Sequence, residues 1–541
     1  MNAKNPTPDT SRAHLLAQAQ AKREWDLVVI GGGATGVGVA LDAAARGFSV
    51  VLFEAEDFAK GTSSRATKLV HGGVRYLAQG NISLVREALH ERATLLANAP
   101  HLAQPLAFVM PAYRIWEAPF YGIGLKMYDA LAGSRGLGHT EFLSSAKTRE
   151  LLPTVRTKGL AGGVKYWDGQ FDDARLAVTL ARSAVAQGAV VLNHCPVTAL
   201  RREAGKLIGV VARDAESGVT LTIQAKCIVN ATGVWVDDLR NMDRDEGAAE
   251  KPGIVAPSQG VHLVVDRAFL PGTHALLVPK TEDGRVLFAV PWLGKTILGT
   301  TDTPRDDIVR EPAPFKEEVE FILRESARYL SKEPTRKDVR SVWVGLRPLV
   351  KAGGDDDGEN TKALSREHTV LVGRSGLVTV TGGKWTTYRA MAEDVLDRCF
   401  DRKLLPRKAK GVTAKLPLLG AASTAKGVSM TQSPGEHLYG SEAALLHKLP
   451  GATNWLWHDA ESGQGALSEA MVRFAVRHEM ARTVEDVLAR RSRLLFLDAA
   501  EAARQAPAVA AILADELGAG FDAAASRRSF EALAAQYQRL P

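Results

Sequence analysis

The residues best suited to chemistry by type and spacing are six in a row: Gly31-Gly32-Gly33-Ala34-Thr35-Gly36. Glycine at the first, third and sixth positions is the arrangement that cradles a pyrophosphate. Gly31 permits a tight turn, Gly33 lets the backbone approach the phosphates, and Gly36 lets a helix lie close against a strand. Ala34 and Thr35 open that helix, whose unpaired N–H groups face the anion. The loop works only if a strand delivers it and a helix leaves it. Residues 26–30 (DLVVI) have the apolar run of a buried strand, and residues 37–46 read as a helix stopped by Gly47. A second strand over 49–53 ends on Glu54, whose carboxylate can accept hydrogen bonds from an adenosine ribose. This unit predicts a dinucleotide ligand. By itself the glycine loop does not separate nicotinamide from flavin.

The chain has 541 residues, too many for one core, so two or three domains are expected. Its 45% hydrophobic and 24% charged content are those of a globular protein. Cys195, Cys227 and Cys399 are the only cysteines and form no CxxC, which argues against a disulfide scaffold, a metal site or an iron–sulfur cluster. Residues 1–24 lack the apolar core of a signal peptide and read as a loosely ordered tail of a cytoplasmic chain. The formal charge of +7 fits anionic substrates, anionic lipid headgroups or nucleic acid. No nucleic-acid-reading motif is present, so that partner is set aside. No apolar stretch reaches the ~18 residues of a transmembrane helix, so any membrane contact is at the surface.

The remaining elements predict an α/β fold: a Rossmann-like dinucleotide-binding domain, an inserted, mainly antiparallel β substrate domain, and a C-terminal α-helical domain. Segments of the dinucleotide-binding domain are expected over 25–110, 171–254 and 346–405. The substrate sheet is expected over 255–345, where short alternating runs precede a helix at 314–330. Helix formers dominate 410–541. Residues 81–98 have helical periodicity with Asn81 or Ser83 as cap, and Asp172-Asp173 can cap a helix that Gly188 ends. Residues 207–225 read as a hairpin turning near Ser217-Gly218. Within 111–170, residues 113–131 mix Trp116, Phe120, Tyr121, Ile123, Leu125, Met127 and Tyr128 with Arg114 and Lys126. That composition suits an interfacial segment, or a buried helix of the substrate domain. The Arg490-Arg491-Ser492-Arg493 cluster suits anionic lipid or a solvated helix face.

Several further motifs occur in order: Thr62-Ser63-Ser64, Lys68, His71-Gly72-Gly73, Arg75-Tyr76, Asp172 to Leu176, and Asn230-Ala231-Thr232-Gly233. Gly299 to Asp302, Gly345 to Pro348, Gly382-Gly383-Lys384-Trp385-Thr386-Thr387-Tyr388-Arg389 and Ala481 to Arg493 follow. Together they resemble the FAD-dependent (aerobic, respiratory) glycerol-3-phosphate dehydrogenases from about residue 25 to 400 and again in the C-terminal region. Two positions depart from the pattern, Val234 after the Ala-Thr-Gly turn and Val261 beside His262, where they would reshape the pocket.

The resemblance implies FAD as cofactor and oxidation of glycerol 3-phosphate to dihydroxyacetone phosphate by hydride transfer from C2 to flavin N5. It points to Arg75, Arg347 and Lys384 for the phosphate, since arginine offers a planar fork and lysine a mobile point charge. His262 is the favoured proton acceptor because imidazole can be neutral near pH 7, with a core histidine as the rival reading. Tyr76 can orient the hydroxyls or simply pack. Thr62, Ser63, Ser64, Lys68, His71, Gly72 and Gly73 fall on the cofactor side, as do Ala231, Thr232, Gly233, Gly383 and Lys384. Thr386 and Thr387 place a helix N-terminus at the flavin pyrimidine ring, and Val197 offers backbone contacts to adenine. The family passes electrons to membrane quinone from a peripheral position, here the cytoplasmic face of a bacterial inner membrane or the cytoplasm; a homodimer is compatible. Alternatives are an oxygen-reducing oxidase of the same substrate, a flavin amine or amino-acid oxidase, and a non-enzymatic FAD scaffold.

Overall fold

A computed structural model describes residues 7–541 except 74–80, 245–246, 248, 283, 352–367 and 422–428. Arg75 and Tyr76 therefore lie outside the described residues.

The strand Trp25–Ile30 is apolar along nearly its whole length because both of its faces are covered. It pairs in parallel with Val50–Phe53 on one side and Thr220–Asn230 on the other. Leu377–Gly382 and Val190–Leu192 extend the parallel array, and His368–Val372 closes one edge antiparallel. The expected hairpin is present: Lys206–Arg213 turns into Thr220–Asn230, and Val197–Glu203 pairs beside it, giving eight strands among the described residues. Helix Ala34–Ala45 lies between helices Asp173–Ala186 and Tyr388–Asp401 on this sheet. Asp172 caps the first of these through the Arg175 N–H, and Asn81 caps Ile82–Asn98 through Leu84.

Among the described residues the second sheet has ten strands and is mainly antiparallel, with one parallel pair between Ala275–Val278 and Ala103–Ala112. It is larger than the expected 255–345 domain. Ala103–Ala112, Gly162–Phe171, Glu141–Ser144 and Leu69–Val70 all join it, so the boundaries expected at 110 and 170 run through strands. Ser341–Val350 also crosses the expected boundary at 345. Strand pattern reports burial and alternation but not which sheet a strand joins, and that choice is made by partners far away in sequence.

The C-terminal region is helical, with one hairpin, Trp455–His458 with Gly465–Ser468. Helices Ala499–Leu517 and Ala523–Gln538 pack on each other. Its junction with the nucleotide domain is ionic. Arg175 pairs with Glu479 at 2.8 Å and Arg182 with Glu442 at 2.7 Å. Arg490, Arg491 and Arg493 contradict the expected lipid-facing or solvated cluster: all are buried, on or just after the π-helical turn Asp486–Arg491. Arg490 and Arg491 both hold Asp57 of the nucleotide domain, and Arg493 holds Asp173 at 3.0 Å. Buried guanidinium groups need such partners, because an uncompensated charge in the core is prohibitive.

The loosely ordered N-terminal tail also needs correction. Arg12–Ala21 is a helix that buries Leu15 and Ala19. Arg12 pairs with Asp214 and donates to the Asn193 carbonyl at 2.9 Å. Weak local propensity is overridden here by docking, as is common for short helices. No helix among the described residues is long and apolar enough to cross a membrane.

Candidate active site

The two sheets enclose a cavity of about 1010 Å³ that runs from the glycine loop to the second sheet. Its nucleotide end fits a dinucleotide pyrophosphate. Helix Ala34–Ala45 starts at Gly33, which offers no side-chain cap, and beyond the Ala34 N–H, which Ser63 holds, its first turn is left for a ligand. A Cβ on Gly36 would stand 1.9 Å from the Gly31 carbonyl oxygen, so the helix reaches the strand only because that position is glycine. Glu54 sits at the strand end as expected; its carboxylate accepts from the Gly32 N–H at 2.6 Å and the Glu56 N–H at 2.8 Å.

Loops distant in sequence are tied to one another around this cavity. Ser63 Oγ accepts from the Ala34 N–H at 2.9 Å, and Trp385 Nε1 donates to the Ser63 carbonyl at 2.8 Å. Thr62 Oγ1 donates to the Leu346 carbonyl at 2.5 Å, Thr386 to that of His71 and Thr381 to that of Gly233, each at 3.3 Å. Gly382 and Gly383 both have left-handed φ, +80° and +76°, which turn the strand sharply and set Lys384 on the cavity wall.

Most expected residues line the cavity: Gly31, Gly33, Ala34, Thr35, Glu54, Thr62, Ser63, His71, Gly73, Val197, Ala231, Thr232, Gly233, His262, Arg347, Gly383, Lys384 and Thr386. Val234 also lines it, whereas Val261 packs into the core of the second sheet. Gly36, Ser64, Lys68, Gly72 and Thr387 do not line it. Gly36 has its packing role. Ser64 is buried, with its Oγ directed at the Gly61 carbonyl. The Gly72 N–H is held by the Tyr128 hydroxyl at 2.7 Å. Thr387 Oγ1 donates to the Lys384 carbonyl at 3.3 Å, and the residue faces a separate cavity. Lys68 is wholly buried behind the wall; its Nζ donates to the Ser64 carbonyl at 2.6 Å and to Asp173 at 2.8 Å. It braces the loop from behind, so its side chain, expected on the cofactor side, does not reach the cavity.

The end of the cavity away from the glycine loop is built on one face of two paired strands. Val255–Asp266 and Ser341–Val350 run antiparallel with Ser258 opposite Arg347, Gly260 opposite Gly345 and His262 opposite Trp343. Period-two alternation therefore puts Arg347 and His262 on the same side. Arg347 donates to the Thr301 carbonyl at 2.9 Å, to Thr300 Oγ1 at 3.3 Å and to Asp302 at 3.2 Å. Asp302 also accepts from Ser258. The guanidinium is thus oriented before any ligand arrives.

His262 is 2% exposed, stacks on Trp343 with centroids 5.2 Å apart, and places Nε2 2.9 Å from Thr67 Oγ1. Burial, reinforced by the charges of Lys68 and Arg347, holds its pKa well below the usual imidazole range. The ring is therefore neutral at pH 7, with Nε2 turned toward Thr67. Burial likewise lowers Lys68, to about 7, against the opposing pull of Asp173. Reading the sequence missed Thr67, which lines the cavity, and gave Asp302 no role; neither stands out within its own motif.

A family model described as "FAD dependent oxidoreductase" matches residues 26–389, and one described as "C-terminal domain of alpha-glycerophosphate oxidase" matches 411–524. The probable mitochondrial glycerol-3-phosphate dehydrogenase of Caenorhabditis elegans is 41% identical, over 96% of this chain and 74% of its own length. The mitochondrial glycerol-3-phosphate dehydrogenase of Homo sapiens is 39% identical, over 95% and 73%. The crystal structure of the Bacillus halodurans glycerol-3-phosphate dehydrogenase complexed with FAD superposes with a TM-score of 0.76 at 30% identity, covering 98% of this chain and 99% of that one. With this architecture and a cavity that fits the cofactor, the chain belongs to the FAD-dependent oxidoreductases and, among them, to the glycerol-3-phosphate dehydrogenase family.

Proposed function

We propose that this enzyme oxidises sn-glycerol 3-phosphate to dihydroxyacetone phosphate and passes the electrons to a membrane quinone. The observation that carries the substrate reading is the convergence of Arg347, Lys384 and neutral His262 on one cavity that also holds the glycine loop. Bound FAD supplies the two-electron acceptor. Arg347 and Lys384 hold the phosphate dianion and thereby set where C2 lies. His262 takes the proton released from the C2 hydroxyl. In the purified enzyme without oxygen, glycerol 3-phosphate is expected to bleach the flavin absorbance. Absence of bleaching by this substrate, with bleaching by sarcosine, would overturn the reading.

The acceptor and membrane reading rests on helix Glu117–Ala132 and the turn before it. Leu125 and Tyr128 are buried, but Ile115, Phe120 and Ile123 are 88%, 67% and 63% exposed, and Trp116 and Met127 are exposed beside them. Residues 116, 120, 123 and 127 form one helical stripe, flanked by Arg114 and Lys126. An apolar stripe with basic flanks suits a lipid surface. Phe120, Ile123 and Met127 also line the outer part of the flavin cavity, so an apolar quinone can enter from lipid. Replacing Trp116, Phe120 and Ile123 together by serine is expected to abolish co-sedimentation with anionic vesicles and quinone reduction while leaving flavin bleaching intact. Unchanged vesicle binding would refute it, and rapid peroxide formation without quinone would favour an oxidase.

A further inference from the structure

The two nitrogens of the His262 ring are in different surroundings. Nδ1 is buried and has no hydrogen-bond partner among the described residues. Nε2 faces Thr67 Oγ1 at 2.9 Å, and one face of the ring is covered by Trp343. In the tautomer that carries the ring hydrogen on Nδ1, a proton coming from the cavity enters at Nε2, where the threonine hydroxyl already stands. Thr67 and His262 both line the cavity, as does Arg347.

Thr67 is also held firmly. The residue before it, Ala66, donates its N–H to Asp173 at 3.1 Å. The residue after it, Lys68, has a left-handed φ of +64° and is anchored on the same carboxylate and on the Ser64 carbonyl. Asp173 is fixed in turn by Arg493 of the C-terminal region at 3.0 Å. A hydroxyl flanked by two anchored residues has little freedom to swing away, as a proton relay requires.

We propose that Thr67 is a catalytic residue whose hydroxyl relays the substrate proton to His262. The inference rests on the reading of His262 as proton acceptor. As the C2–H bond breaks and its electron pair leaves as hydride to the flavin, the C2 O–H bond also breaks. That proton bonds to Thr67 Oγ1 while the proton of Thr67 bonds to His262 Nε2. C2 becomes a carbonyl carbon, Thr67 ends neutral, and His262 ends as the cation.

The test uses Thr67→Val, Thr67→Ser and His262→Gln in the flavin-loaded enzyme. The rate of anaerobic flavin reduction is measured, and dihydroxyacetone phosphate affinity is read separately from the perturbation of flavin absorbance. Thr67→Val is expected to slow reduction by about 10²–10³-fold with ligand affinity within about threefold, because general acid–base groups contribute on that scale. Thr67→Ser, which restores the hydroxyl, is expected to return to within about fivefold of the original rate. Reduction by Thr67→Val at the original rate beside a slow His262→Gln would overturn the relay and leave His262 in place. Full rates in both would overturn both readings. Equal slowing by valine and serine, or a loss of affinity as large as the loss of rate, would show that Thr67 only packs. If the valine variant sheds flavin, Thr67→Ala, which adds no bulk, is read against the same outcomes.

Discussion

Gly260 offers a way to move Arg347 without removing it. It lies on strand Val255–Asp266 opposite Gly345, and its φ is outside the left-handed region, so alanine suits the backbone. What alanine meets is the site itself. A Cβ there would stand 2.3 Å from Arg347 Nη2, 2.8 Å from its Cζ and 2.6 Å from Thr300 Oγ1. Non-bonded carbon contacts settle at about 3.5–4 Å, so the guanidinium must retreat by roughly 1 Å. The guanidinium is the far end of a flexible side chain, but Thr300 Oγ1 must give as well, so the cost to folding should be about 1–2 kcal/mol, partly offset by the lower backbone entropy of alanine in the unfolded chain. The cost to function is larger. A misplacement of about 1 Å in a positioning group is worth roughly 10²-fold, or about 2.7 kcal/mol. Because the phosphate is gripped equally in the ground and transition states, the loss should fall mainly on KM. Steady-state kinetics of Gly260→Ala with glycerol 3-phosphate, beside flavin content and melting temperature, provide the assay. An unchanged KM in a flavin-replete, stable variant would refute the placement of Arg347 on the substrate phosphate.

Arg347→Ala is expected to weaken glycerol 3-phosphate binding by about 10²–10³-fold, the loss of two charge-assisted hydrogen bonds, with flavin retained; unchanged affinity would remove it from the phosphate site. Gly33→Leu should deplete flavin, since even a Cβ at this position comes within 3.1 Å of Ser63 Oγ and the larger side chain projects where the pyrophosphate belongs. The absorbance ratio of flavin to protein after purification reports it, and full occupancy would contradict the loop's role. His194 gives a pH test of the domain junction. Burial disfavours its charged form, but Asp486, 2.9 Å from Nε2, prevails and raises its pKa above the ordinary 6.5. Its contribution to stability is therefore complete below pH 6.5 and lost as pH rises through the folded-state value. Denaturant midpoints of the parent should fall over that interval more than those of His194→Gln; parallel profiles would exclude the linkage.

The nucleotide-binding end was legible because its determinants are contiguous. Strand, glycine turn, helix and acid occupy residues 25–54, and each carries its own local signal: apolar run, missing side chains, helix stop, terminal carboxylate. The hairpin at 206–230 and the caps at Asn81 and Asp172 were readable for the same reason. The exposed stripe on helix Glu117–Ala132 was only half legible. Its composition allowed burial or a lipid surface, and the outcome is divided, with Leu125 and Tyr128 inward and Phe120 and Ile123 outward. The arginines at 490, 491 and 493 misled, because a run of cations reads as solvated until the carboxylates opposite them are known. Those carboxylates, Asp57 and Asp173, lie more than three hundred residues earlier.

The sequence alone pointed to a dinucleotide at Gly31–Gly36, and its resemblance to a known family made that dinucleotide FAD. Only the tertiary structure decided which of the family's motif residues line the cavity and which brace the wall behind it. Lys68 and Thr67 are neighbours in the chain, yet one is sealed against Asp173 and the other opens on the cavity beside His262. The physical reason is register. Alternation along a strand says which of its residues share a face, but pairing across the sheet, Gly260 with Gly345 and His262 with Trp343, decides what that face meets.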